Sequence, residues 1–280
     1  MASKINTGLT KETTMASDTV TYEQHGKVAL IGLNRADKRN AINAEVLEGL
    51  ADAAIRASKE ARAAVLFGNG PNFSAGLDLA WLAERLEQGG FYSSPLEGSL
   101  WHRAFNLISR GGIPFISALH GPVIGGGLEL ACATHVRVAA DTAVFGLPEG
   151  QRGIFVGGGG TVWVQRVIGY ATMADMMLTG RILTCEEARQ ARVMQYVVPE
   201  GQERAKALEL AEKIAENTPL TNWQITNLLP RINDLSHDDG LFMEYMNSNL
   251  AKPPETQERL KRFLGGNARL KVEEAGGGNR

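Results

Sequence analysis

A single carboxylate, Glu129, stands in the otherwise apolar stretch HGPVIGGGLELACA (120–133), directly behind the glycines at 125–127 and one further residue. The apolar run FISAL ahead of the glycines reads as a strand and LELACA behind them as a helix. A strand-to-helix junction leaves amide hydrogens unpaired at the positive end of the helix dipole, and glycines let a ligand approach them closely. Two such amides converging on one carbonyl form an oxyanion hole, worth several kcal/mol once negative charge develops on that oxygen. Glu129, one turn into the helix, could then face the atoms beside that carbonyl. Taken alone, it reads equally well as an ordinary carboxylate favoured by the helix dipole.

A second carboxylate lies twenty positions on, in AVFGLPEGQRGIFVGGGG (143–160), where Pro148 and Glu149 follow a short apolar strand. Two carboxylates sharing one pocket push the pKa of one upward, so that one holds a proton while the other accepts one. That division of labour suits addition or elimination of water. A further turn-rich loop, GNGPNFSAGLDLAWL (68–82), follows a strand; Gly76 frees the backbone there and Asp78 is placed to cap a short helix. The glycines at 157–160 lack the GK[ST] ending of a P-loop and the GxGxxG spacing of a dinucleotide turn. His25, His102, His120, His135 and His237 have no ligand spacing, so no metal site is expected.

These loops need a frame to hold them. Strands are expected near residues 28, 64, 116, 135 and 195, with Val28 to Leu33 the second strand of a hairpin around QHG. AINAEVLEGLADAAIRASKE carries apolar residues at helical spacing and turns Glu45 and Glu48 outward. Alternating strands and helices indicate an α/β chain. Residues 1–18 read as a loose polar arm, 19–203 as the core, 204–265 as a helical region beginning with an amphipathic helix, and 266–280 as a flexible tail. The 280 residues are 44% hydrophobic and 21% charged with a net charge of −2, a globular composition. Lysines and arginines are scattered, which argues against a nucleic-acid partner. No apolar run has membrane-spanning length and no signal-type segment opens the chain, so a cytoplasmic protein without a membrane partner is expected. Cys132 and Cys185 are expected as free thiols.

With these residues on the page, the sequence resembles the enoyl-CoA hydratase (crotonase) family. The resemblance rests on LNRADKRNAINAEVLEGL (33–50), NFSAGLDLAWL (72–82), GPVIGGGLELACATHVRVAAD (121–141), FGLPEGQRGIFVGGGGTVWVQRVIG (145–169) and LTGRILTCEEARQARVMQYVV (178–198). It implies a crotonase-like spiral of repeated ββα units, with C-terminal helices that assemble a homotrimer or a dimer of trimers. The implied substrate is an acyl-CoA thioester, and no separate cofactor is needed. The implied oxyanion hole is the backbone NH of Leu77 and of Gly126, with Glu129 and Glu149 as the hydratase carboxylates. Lys38, Arg39, Ala41, Ser74, Ala75 and Gly76 would lie along the coenzyme A path; for Lys38 and Arg39 a solvated loop charge pair is an equal alternative. Isomerisation, thioester hydrolysis or carbon–carbon cleavage on the same frame, or a non-catalytic acyl-CoA-binding subunit, are the competing functions. The sequence departs from the family pattern at Val156, where proline is usual, and in PETQERLKRFLGG at the C-terminal end. The variable segment 79–102 puts acyl specificity in doubt: Trp81, Phe91, Tyr92 and Trp101 are candidates for the acyl pocket and equally for core or subunit contacts.

Overall fold

The computed structural model describes residues 13–87, 95–248, 250, 254–262 and 264. Two compact units divide the chain, Met1–Asn217 and Thr218–Arg280. Strand β1 (Thr13–Ser17) pairs antiparallel with β2 (Val20–His25), which pairs antiparallel with β3 (Val28–Leu33). The N-terminal arm expected over 1–18 thus contains the strand Thr13–Ser17; its first twelve residues, like 266–280, lie outside the described residues. Helix α1 (Ala44–Glu60) starts at Asn43, whose side chain accepts a hydrogen bond from the amide of Val46, and buries Val46, Leu47, Leu50, Ala54 and Ala57 along one face.

β4 (Ala63–Gly68) follows, then α2 (Leu79–Glu87) and α3 (Pro95–Arg110). Next come β5 (Phe115–Leu119), β6 (Pro122–Ile124) and α4 (Gly126–Ala133), and then β7 (Val136–Ala140), β8 (Val144–Gly146) and α5 (Gly160–Thr179). β9 (Ile182–Leu183), α6 (Cys185–Gln190), β10 (Tyr196–Val198) and α7 (Glu203–Ala215) complete the unit. The successions β2–β3–α1, β5–β6–α4 and β7–β8–α5 make this an α/β fold of repeated ββα units. The first strand of each later unit joins a seven-stranded sheet ordered β1-β2-β3-β4-β5-β7-β10, and the second joins a small sheet ordered β6-β8-β9. From β3 through β10 the large sheet is parallel.

Parallel strands covered on both faces need apolar side chains at every position, which is why VALIGL and AAVLFG are buried throughout. Alternate residues serve different cores. Ala29, Ile31, Ala64 and Leu66 face the larger cluster with α1, α3 and α4. Val28, Leu30, Val65 and Phe67 face α7, whose Ala207, Ala211 and Ala215 recur every four residues and let the helix lie close to the sheet. Helix α7, which its amphipathic pattern groups with the C-terminal helices, therefore belongs to the sheet. Cys132 and Cys185 are buried and unbridged.

The second unit holds α8 (Pro219–Asn227), α9 (Leu229–Ile232), α10 (His237–Ser248) and α11 (Pro254–Arg262). Thr218 caps α8 ahead of a proline at its first position. The Gln224 amide donates to the Asn247 carbonyl at 2.9 Å, tying α8 to α10. No described helix is long and apolar enough to cross a membrane.

Candidate active site

The two glycine-framed turns meet. The chain after β4 runs beside β6: the Ser74 amide donates to the Pro122 carbonyl, and the Ile124 amide donates to the Ser74 carbonyl. Ser74 is fully buried, and its hydroxyl donates to the Asn40 carbonyl at 2.7 Å while accepting from the Gly76 amide at 3.1 Å. Gly76 has φ +83°, and a Cβ there would stand 2.4 Å from the Ile124 carbonyl oxygen and 3.0 Å from the Gly126 nitrogen. Only glycine permits that approach, and it brings Leu77 alongside Gly126. Among the described residues neither the Leu77 nor the Gly126 amide meets a protein acceptor.

Asp78 closes the turn. Its carboxylate accepts from the amides of Ala80 and Trp81, as a helix cap does, and pairs with Arg35 at 2.8 Å. Burial alone would raise its pKa; the Arg35 hydrogen bond and the two amides outweigh that and hold it below the usual carboxylate value. Arg35 also donates to the Ala41 carbonyl, and the Ala75 amide donates to the Arg39 carbonyl, so 38–42 and 74–78 lie side by side. Lys38 and Arg39 are exposed on a short 3-10 turn, away from the cavity described next.

Behind Gly126, α4 carries Glu129 into the interior, 3% exposed. Its Oε1 accepts from the amides of Gly158 (3.0 Å) and Gly160 (2.7 Å), where the four-glycine run turns into α5. Glu149, 5% exposed, follows β8, and its Oε2 is buried without a protein partner. Both line one cavity of about 30 Å³ together with Leu77, Gly126, Trp101 and the 154–158 loop. About 10–15 Å³ of such space is enough for one water, so the cavity has room for water beside the two carboxylates. Burial pushes the Glu129 carboxyl up from 4.5 to about 7; the two amides oppose that, and the nearby Glu149 charge adds to it. Burial likewise raises Glu149, against its own backbone amide and the Arg152 charge. Two adjacent acids with raised pKa values can divide into a proton donor and a proton acceptor near neutral pH.

Trp101 forms the apolar wall. Its ring lies so close to Gly126 that a Cβ there would be 2.7 Å from Cζ3, and it meets Phe105 edge-on with centroids 5.5 Å apart. Phe155 lines the same cavity while 69% exposed, which places it at the mouth. Of the four aromatic candidates only Trp101 lines this cavity; Trp81 does not, and Phe91 and Tyr92 lie outside the described residues. The Gly158 and Gly160 amides and the Arg35–Asp78 pair are the features that residue types do not announce. Repeated glycines at 157–160 signal a special turn, but only the fold names Glu129 as its partner. Among the described residues no group of three or more His, Cys, Asp or Glu side chains is placed to hold a metal ion.

A family model described as enoyl-CoA hydratase/isomerase matches residues 23–264. The chain is 32% identical over 254 residues to the enoyl-CoA hydratase EchA19 of Mycobacterium tuberculosis, covering 88% of this chain and 89% of that protein. It is 33% identical over 243 residues to the 2,3-dehydroadipyl-CoA hydratase of Escherichia coli, covering 85% and 92%. A solved structure from Rhodopseudomonas palustris, provisionally described as an enoyl-CoA hydratase, superposes with a TM-score of 0.81 at 43% identity, covering 90% of this chain and 97% of that one.

Proposed function

From the premise that this chain belongs to the enoyl-CoA hydratase/isomerase family, we propose that it adds water reversibly to the α,β double bond of a 2-enoyl-CoA, giving a 3-hydroxyacyl-CoA. The observation that carries this reading is the pair of buried carboxylates, Glu129 and Glu149, on one cavity that also reaches Gly126 and Leu77. The Mycobacterium tuberculosis and Escherichia coli relatives are both named as hydratases of CoA thioesters, which supports the same reading.

In this mechanism the thioester oxygen sits between the amides of Leu77 and Gly126. Ionised Glu129, held by the Gly158 and Gly160 amides, takes a proton from the water as its oxygen bonds to the β carbon. The π electrons move through the α carbon onto the thioester oxygen, where the two amides stabilise the enolate. Protonated Glu149 then gives its proton to the α carbon and the carbonyl re-forms. A proton passing from Glu129 to Glu149 resets the pair, and dehydration is the reverse sequence. Coenzyme A stays attached, and no separate cofactor takes part. The loops at 38–41 and 74–76 are assigned to the coenzyme A chain, with Lys38 and Arg39 free in solvent to meet phosphate. The C-terminal helices are assigned to assembly with further copies, three or two sets of three; exposed Leu241, Phe242, Tyr245 and Met246 on α10 support that assignment.

Turnover of crotonyl-CoA in H₂¹⁸O tests the reading: the expected product is 3-hydroxybutyryl-CoA carrying one ¹⁸O with the thioester intact. Free coenzyme A, or a shifted double bond without ¹⁸O, as the main product overturns it. Gly76→Ala is expected to lower kcat by about 10²–10³-fold, the cost of losing one oxyanion donor, because a Cβ at that φ displaces the Leu77 amide. Steady-state kinetics, with circular dichroism to verify the fold, measures it.

A further inference from the structure

The Leu77 amide is aimed by a short stretch of chain that takes no part in the chemical steps. Ile42 and Leu77 form a parallel bridge: the Ile42 amide donates to the Gly76 carbonyl at 2.7 Å and the Asp78 amide to the Ile42 carbonyl at 2.9 Å. Both neighbours of Leu77 are thereby held to Ile42, and along extended chain successive residues turn their amides to opposite sides. The Leu77 N–H is left facing away from Ile42, on the side of Gly126, where a Cβ built on Gly126 would be 3.6 Å from the Leu77 nitrogen. Its direction therefore depends on how firmly residues 40–42 are fixed.

Asn40 fixes them. It is 1% exposed and sits at φ +54°, directly after Arg39 at φ +53°. Two successive left-handed residues without a glycine are costly and persist only where the surroundings over-determine them. Here they do: the Asn40 Oδ1 accepts from the Arg35 amide at 2.9 Å, and Nδ2 donates to the carbonyls of Asn69 at 3.0 Å and Asn72 at 2.8 Å. Two acceptors and one donor around the carboxamide allow it a single orientation. The main chain of Asn40 is held as well, its amide by the Arg35 carbonyl and its carbonyl by the Ser74 hydroxyl. A Cβ on Gly68 would stand 2.8 Å from Nδ2, so the residue that ends β4 leaves room for the side chain. Asn40 thus joins the turn at 35–42 to the loop at 69–72 and, through Ser74, to the Gly76 amide.

We propose that Asn40 is a positioning residue for the reaction: its carboxamide, acting through Ser74 and Ile42, sets the direction of the Leu77 N–H at the thioester oxygen. This rests on the reading of Leu77 and Gly126 as the carbonyl site, whichever reaction follows there.

Infrared difference spectroscopy of the full chain with butyryl-CoA, labelled with ¹³C at the thioester carbonyl, tests it, because a saturated thioester has no double bond to hydrate. The parent chain is expected to move the bound carbonyl band to lower wavenumber, as two N–H donors polarise it. Asn40→Gly, which suits the positive φ, and Ser74→Ala, which cuts the link to Gly76, are each expected to return the band about half-way or more to its position in water. Their kcat on crotonyl-CoA should fall about 10–10²-fold, the scale for a misplaced group, with KM changed much less. Leu30→Ala, a core truncation on the opposite face of the sheet, loosens the fold without touching these contacts and should leave the band as in the parent. Circular dichroism checks folding, and either Asn40→Gly or Ser74→Ala alone suffices. A band that stays shifted in a folded variant, or that Leu30→Ala moves equally, overturns the positioning role; so does failure of both variants to fold, which would make Asn40 a staple of the fold. No shift in the parent chain removes the two amides as the carbonyl site, and this role falls with them.

Discussion

Glu149→Gln is expected to lower kcat for hydration of a 2-enoyl-CoA by about 10²–10⁴-fold with little change in KM, and Glu129→Gln to do the same, the range for removing a positioned acid or base. Both replacements keep the side-chain shape. The buried Oε2 of Glu149 has no protein partner, so an amide there breaks no hydrogen bond. A glutamine at 129 still offers an oxygen to the Gly158 and Gly160 amides. Losses are therefore chemical and not structural. The double variant is expected to lose little more than the worse single variant, since the two groups act on one event. The variants separate in a second readout: Glu149→Gln should also abolish solvent-deuterium exchange at the α carbon of the hydroxyacyl product. Steady-state kinetics and mass spectrometry of that exchange measure both, and less than tenfold loss in both single variants removes these residues from the reaction.

At pH 8, Glu129→Gln is expected to be more stable than the parent chain by about 3 kcal/mol, the free-energy equivalent of moving a carboxyl from 4.5 to about 7. The cause is burial, which favours the protonated form in the folded chain. Stability contributed by a group whose folded pKa is raised is fully present below the unfolded value and is lost as pH rises through the folded one. The window is therefore pH 4.5 to about 7, with the parent weakening as pH increases. Glutamine is neutral throughout and lacks this slope. Urea unfolding of both chains at pH 5 and pH 8 measures the difference, which should be small at the lower pH and large at the higher. A difference independent of pH would show that Glu129 is not a carboxyl whose ionisation opposes folding. The same substitution thus removes activity and adds stability, the trade expected where an acid is buried for chemistry.

The frame and the acids were legible in the residues to different degrees. Unbroken apolar runs mark β3 and β4, and the 3.6-residue repeat marks α1, because burial on two faces and on one stripe leave distinct patterns. The strand-glycine-helix junction at 125–127 is legible for the same reason. Strand β1 is not: TTMAS pairs at a sheet edge through its backbone, which asks for no hydrophobic pattern. Helix α5 is rich in Val, Thr and Gly, whose local preferences point away from a helix, and it holds Gly169 at φ 78°, ψ 159° inside it. The placement of α7 escapes the sequence because an amphipathic stripe shows that a face is covered, not by what. At the site, Glu129 and Glu149 draw attention as carboxylates in costly places. The Gly158 and Gly160 amides, by contrast, have no side-chain signature at all.

The parallel strands β7 and β10 have a kinetic meaning. Between Val138 and its partner Tyr196 lies all of the chain that carries Glu149, Gly158 and Gly160. Closing so long a crossover is slow compared with local helix growth. A chain diluted from denaturant should recover its circular dichroism well before its turnover, since the acids acquire their neighbours only when that loop is closed.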